Sequence, residues 1–201
     1  MSNIQIIYDE KSPLIKELKN SSYPVYNEKN CDILVDFTTC NKNEKKKLLS
    51  TIKAKKIISD LSFYDPQEFY NEYPKLKACF SSFFITEKRK IEIYYKEFID
   101  IKSIFNSLET ELIEIKQLSS GFIYPRIFAQ IVNEAYFALG EGVASSEDID
   151  RAMKFGVNYP FGPFEWSKGK ETYIVRLLKE LKNKTQDERY DIAPLLQNFD
   201  L

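Results

Sequence analysis

Up to about residue 118, short apolar runs alternate with amphipathic stretches of roughly ten residues, the signature of strands separated by helices. Ile4-Gln5-Ile6-Ile7-Tyr8 is rich in β-branched residues and predicts a buried strand. Ser12 followed by Pro13 predicts a helix start, with the hydroxyl as N-cap and the proline at the first position, and this helix runs to Asn20. Tyr23 to Tyr26 predicts a second strand and Cys31 to Phe37 (CDILVDF) a third. Lys42 to Lys53 predicts a helix with Leu48, Leu49 and Ile52 on one side, and the run Lys45-Lys46-Lys47 behind Glu44 is expected on its solvated face. Strands at Lys56–Ser59, Leu76–Phe80, Lys90–Tyr94 and Glu111–Lys116, with helices at Pro66–Tyr73 and Glu97–Leu108, complete the alternation. Such a chain folds as an α/β domain of doubly wound type, a parallel sheet covered on both faces.

From Ser119 the pattern is helical only. Ile127, Ile131, Ala135 and Ala138 recur at helical spacing and predict a buried stripe. Gly140 and Gly142 stop that helix. Ser145, three residues before Asp148, starts another that runs to Phe155 and stops at Gly156. Pro160, Gly162 and Pro163 make a rigid connection into Phe164 and Trp166, and a last helix spans Glu171 to Lys182. The expected organisation is a reduced parallel-sheet domain, 1–118, followed by an all-helical domain, 119–201.

Composition narrows the chemistry. The formal net charge is -1, so nothing points to nucleic acid or an anionic membrane. The longest apolar runs are far short of a membrane span, and MSNIQIIYDE does not read as a secretory signal. Cys31, Cys40 and Cys79 have no metal-ligand spacing and suit free thiols in a reducing, cytoplasmic compartment. The chain contains no histidine, which removes the usual general base near neutral pH and histidine-based zinc sites.

One ungapped stretch carries a specific likeness: Gly121-Phe122, Arg126, Asn133-Glu134-Ala135, Glu141-Gly142-Val143-Ala144, Asp148-Ile149-Asp150, Ala152-Met153 and Gly162-Pro163-Phe164-Glu165. This segment resembles the C-terminal helical domain of 3-hydroxyacyl-CoA dehydrogenases. In that family the helical domain packs against its mate in a dimer and closes one side of the active-site cleft. The earlier strands are similar to a reduced version of the family's Rossmann-like domain. CDILVDFTTCNKNEKKKLLSTI resembles the strand–loop–helix beside the nicotinamide. KKIISDLSF, KACFSSFF and RKIEIYY resemble its later strands. The resemblance implies NAD as cofactor, an acyl-CoA-like ligand, a homodimer through the C-terminal helices (Phe122 to Leu139) and a place in fatty acid metabolism.

The departures from the family pattern matter as much. Where the family has a Gly-x-Gly-x-x-Gly turn, this chain reads Tyr8-Asp9-Glu10-Lys11-Ser12-Pro13. Side chains would fill the space of the pyrophosphate, and Asp9 and Glu10 add negative charge beside an anion, so NAD held in the family's manner is not expected. The helical hairpin that helps hold CoA in the family is missing between Asn27 and Cys31. Asn27 also stands where an acidic residue holds the adenosine ribose. By the same likeness Ser82, before Phe83-Phe84, falls at the catalytic histidine, Glu92 at its glutamate partner, and Ser62 at a serine of an Asn-Thr-Ser-Ser turn, with Asp60 and Leu61 replacing the asparagine and threonine. Pro125 replaces the asparagine before Arg126. A serine hydroxyl has no useful basicity near neutral pH, and loss of a general base costs a factor of about 10²–10⁴. These three positions are expected to be non-functional remnants. The sequence thus points first to a pseudoenzyme, a dimeric scaffold or ligand-binding protein without a bound cofactor. An active NAD(P)-dependent oxidoreductase with a relocated base, or a subunit supporting another family member, are the other readings.

Overall fold

A computed structural model describes residues 3–83 and 89–199. The chain divides into two compact units, Met1–Ile123 and Tyr124–Leu201. Phe84, which follows Phe83 after Ser82 in the motif above, lies outside the described residues.

The first unit is built on one sheet whose strands lie side by side in chain order: β1 (Ile4–Ile7), β2 (Cys31–Asp36), β3 (Ala54–Asp60), β4 (Leu76–Ser81), β5 (Lys90–Tyr95) and β6 (Glu111–Glu114). β1 to β4 are parallel; β5 is antiparallel to β4, and β6 is parallel to β5. The link from Ser81 to Lys90 is shorter than the dozen or so residues of a parallel crossover, so the chain reverses there. The strand expected at Tyr23–Tyr26 is reduced to one bridge, between Val25 and Ile6. Ile6 N–H donates to Pro24 O at 3.0 Å and Tyr26 N–H to Ile6 O at 2.8 Å. The proline has no N–H with which to extend a ladder. The bridge nevertheless lies across β1 from β2. The chain therefore leaves β1 on one side and returns to pair on the other, which makes β1/β2 a topological switch point.

Helix α1 (Ile15–Lys19) begins later than expected. Ser12 is not its cap: the hydroxyl donates to Phe37 O at 2.7 Å and accepts from Asp9 N–H at 3.1 Å. Helix α2 (Lys42–Thr51) opens with a capping box in which Asn41 and Glu44 satisfy each other's backbone N–H. Helix α3 (Pro66–Glu72) is capped by Asp65. Helix α4 (Lys102–Ser107) is shorter than the expected Glu97–Leu108. Glu97 is instead drawn to the strands, where its N–H donates to Lys77 O at 3.1 Å and its carboxylate pairs with Lys56 at 2.5 Å and Lys77 at 3.2 Å. Between the sheet and α1 and α4 lies a core centred on Phe37, Phe80 and Phe105, whose ring centroids are 5.0 to 5.7 Å apart.

The second unit comprises α5 (Tyr124–Gly140), α6 (Ser146–Gly156), α7 (Pro163–Ser167), α8 (Glu171–Thr185), a 3-10 turn (Glu188–Tyr190) and α9 (Pro194–Gln197). Gly142, at φ +71°, closes α5: its N–H bonds Leu139 O at 3.1 Å, and Val143 N–H bonds Ala138 O at 3.0 Å. This is a Schellman stop, in which glycine takes the left-handed turn without a Cβ penalty. The stripe expected to be buried is corrected. Phe128, Ala129, Val132, Ala135 and Tyr136 are buried, whereas Ile127 is 56% exposed and Ile131 and Ala138 are half-buried. Helix α5 is apolar on two faces, and the bulkier aromatic one takes the interior. The short elements after α8 were not expected. Asn133 holds them, its Nδ2 donating to Asp191 O at 2.7 Å and its Oδ1 accepting from Ala193 N–H at 2.9 Å.

Candidate functional site

In open α/β sheets, ligands bind beyond the carboxyl ends of the strands, at the switch point. Here those ends carry three groups of polar side chains, all within the first unit.

The first group centres on Asp36, the last residue of β2. Its carboxylate accepts from Lys45 Nζ at 2.7 Å, Ser59 Oγ at 2.6 Å, and Thr38 N–H and Oγ1 at 2.8 and 2.7 Å. Lys45 also donates to Thr38 O and Oγ1, both at 2.8 Å, so all three of its protons are used. Both side chains are 0% exposed. Lys45 was expected on the solvated face of α2, and the structure corrects this. One helical turn before the buried Leu49, it faces the sheet.

The second group gathers on Asp60, the last residue of β3. Oδ1 accepts from Ser62 N–H at 2.9 Å and Ser62 Oγ at 2.5 Å. Oδ2 accepts from Ser82 N–H at 3.1 Å and from the Ser82 hydroxyl. Ser81 Oγ extends the chain to Ser62 Oγ at 3.1 Å. Ser62 and Ser82 thus converge, but on the Asp60 carboxylate rather than on each other. Burial pushes the Asp60 carboxyl above its ordinary value, against the two serine hydrogen bonds and the nearby Lys45 charge, which act to lower it. The same burial pushes the neighbouring Cys79 thiol up to about 12. Asp60 is 4%, Ser62 1% and Ser82 0% exposed. The cluster offers little surface to a substrate. Glu92, on β5, is directed elsewhere: Oε2 accepts from Ile123 N–H at 2.8 Å.

The third group lies at the switch point itself. Asp9, just past β1, reaches to the residues after β2, and its carboxylate accepts from Thr39 N–H at 2.5 Å and from Thr39 Oγ1 at 3.1 Å. Lys11 N–H donates to the same carboxylate at 2.9 Å. A dinucleotide pyrophosphate needs backbone N–H groups at this place and room to approach them. The donors here already hold an anionic side chain of the protein. The residues present do not fit NAD at this crevice.

The family likeness pointed to Ser62, Ser82 and Glu92 by position and named Asp60 only as the replacement of an asparagine; it gave no role to Asp36, Lys45 or Thr39. One signal was available. Asp36 follows Ile33-Leu34-Val35 and Asp60 follows Ile57-Ile58-Ser59 at the end of its strand, and a carboxylate at a buried position requires partners.

The comparisons agree with the architecture. Residues 121–200 match the family described as 3-hydroxyacyl-CoA dehydrogenase, C-terminal domain. A 3-hydroxyadipyl-CoA dehydrogenase of Escherichia coli K12 is 47% identical over 79 residues, which are 38% of this chain and 16% of that protein. A 3-hydroxybutyryl-CoA dehydrogenase of Clostridioides difficile is 28% identical over 130 residues, 64% of this chain and 43% of that one. The crystal structure of a Ralstonia eutropha (S)-3-hydroxybutyryl-CoA dehydrogenase has the same fold, with a TM-score of 0.70 at 24% identity over 84% of this chain and 64% of that one. The chain spans less than half the length of these curated relatives. Residues 121–200 of the chain are thus similar to the C-terminal domain of 3-hydroxyacyl-CoA dehydrogenases.

Proposed function

We propose that this chain is a non-catalytic relative of the 3-hydroxyacyl-CoA dehydrogenases, a dimeric scaffold or ligand-binding protein of the cytoplasm. The carrying observation is the Asp60 cluster. At the positions that correspond to the family's catalytic residues, Ser62 and Ser82 spend their hydroxyls on a buried aspartate. No histidine exists to take a hydroxyl proton, and Glu92 is engaged with the Ile123 backbone. Ser82, Ser62 and Glu92 are on this reading structural remnants, and any acyl-CoA-like ligand is bound without redox chemistry.

The dimer is supported by the second apolar face of α5. Ile131, Ala135 and Ala138 line a groove of about 500 Å³ with Ile149, Met153 and Pro163. A twofold contact of this face with a second copy removes it from water. Free Cys31, Cys40 and Cys79 suit a reducing compartment, and no helix among the described residues is long and apolar enough to cross a membrane.

A second reading, an active NAD(P)-dependent oxidoreductase with a relocated base, rests on Asp60, whose raised carboxyl has the character of a general acid or base. A steady-state assay with NADH and acetoacetyl-CoA separates the two. The first reading expects no NADH oxidation above the protein-free rate. Turnover abolished by Asp60→Asn would establish the second.

A further inference from the structure

The Asp9 contacts describe more than an obstruction. Three donors from two separate segments converge on one carboxylate: Thr39 N–H, Thr39 Oγ1 and Lys11 N–H. That is the donor set of an anion site, and it stands at the switch point between β1 and β2. It does not depend on a helix terminus; α1 begins only at Ile15. Around it, Ser12 Oγ ties Asp9 N–H to Phe37 O, so the loop after β1 is bound to the loop after β2 at two points. Glu10 takes no part, since its carboxylate is exposed and pairs with Lys19 at 2.8 Å.

We infer that this crevice is an anion-binding site permanently filled by the protein's own Asp9 carboxylate, which takes the place of an exogenous phosphate and clasps the ends of β1 and β2 together. Removing the carboxylate opens a site for a small free anion, and the natural protein takes none there. The inference stands on the Asp9 geometry and is independent of whether the Asp60 cluster does chemistry.

The test is chemical rescue of the full-length chain, read as the thermal unfolding midpoint. Asp9→Ala lowers the midpoint by several degrees, and formate or inorganic pyrophosphate raises it again with saturation. The wild-type protein gains nothing from pyrophosphate beyond the ionic-strength effect of chloride. Glu10→Gln behaves as wild type in every arm. Should Asp9→Ala fail to fold, Asp9→Asn, which keeps one acceptor for Thr39 and loses the charge, shows a smaller loss and a weaker rescue. Saturable stabilisation of the wild type by pyrophosphate would overturn the inference. So would variants at Asp9 that lose no stability, or that neither anion rescues.

Discussion

The ammonium of Lys45 and the carboxylate of Asp36 meet at 2.7 Å with neither side chain exposed. Lys45 donates otherwise to Thr38, and Asp36 accepts otherwise from Thr38 and Ser59. Removing one partner strands a buried charge. Lys45→Met is expected to cost about 3–5 kcal/mol of unfolding free energy, and the joint Asp36→Leu/Lys45→Met change markedly less than the sum of the single losses. Urea unfolding of the three variants measures this. Strictly additive losses would show that the pair is not coupled.

This pair also marks how far the sequence could be read. The alternation of apolar runs and helical stretches matches each strand β1 to β6, because that pattern is written locally, and adds one at Tyr23–Tyr26 that is only a bridge. The triplet Lys45-Lys46-Lys47 looked uniformly solvated because charge composition carries no direction. Helical phase does: Lys46 reaches Glu68 and Glu72 on the surface while Lys45, on the Leu49 side, turns inward. On α5 the difficulty was the opposite. Two apolar faces satisfy the same periodicity, and the inner one is the face that packs Phe128 at 4.6 Å from Trp166 and Tyr136 at 4.9 Å from Phe164. The Asp9–Thr39 clasp joins positions thirty apart, a relation no local spacing contains.

Asp60 predicts a pH dependence. Its native carboxyl lies above the ordinary value of 3.8 because burial disfavours the charge. Between that value and the raised native one, the native state binds more protons than the unfolded state. The contribution is therefore fully present below the unfolded value and lost as pH rises through the native one. Asp60→Asn removes this slope, so the variant gains stability relative to wild type as pH is raised from about 4 to about 8. Urea midpoints across that range measure it. Parallel curves would mean that Asp60 is not perturbed by burial.

Gly162 is needed for space rather than for backbone freedom. A Cβ there would stand 2.2 Å from Asp150 Cγ. That carboxylate accepts from Phe164 N–H at 2.9 Å and Glu165 N–H at 3.0 Å, capping α7 from another helix. Gly162→Ala displaces the cap, and a loss of about 1–3 kcal/mol is expected. Asp150→Ala should lose a similar amount by itself, and Asp150→Gly, which also removes the Cβ that would stand 2.3 Å from the added one, should make Gly162→Ala almost neutral. Denaturant titration of the single and double variants tests this, and a full additional loss in the double variant would contradict it.

Ile131 lies in the apolar groove of α5 and is half-buried rather than part of the buried core of its own unit. Ile131→Glu is expected to weaken self-association by about 10–100-fold while leaving the monomer folded. Sedimentation equilibrium measures the first and circular dichroism the second. A wild-type protein that is monomeric at micromolar concentration would remove the proposed dimer.

On the proposed reading the chain keeps a fold similar to that of 3-hydroxyacyl-CoA dehydrogenases and binds no dinucleotide, with Asp9 holding the donors that a pyrophosphate would need. Calorimetric titration of the purified chain with NADH tests it most directly. The account predicts no saturable heat at millimolar NADH, in the presence or absence of acetoacetyl-CoA. A one-to-one isotherm, lost when Thr39 is replaced by proline to remove its N–H, would contradict it.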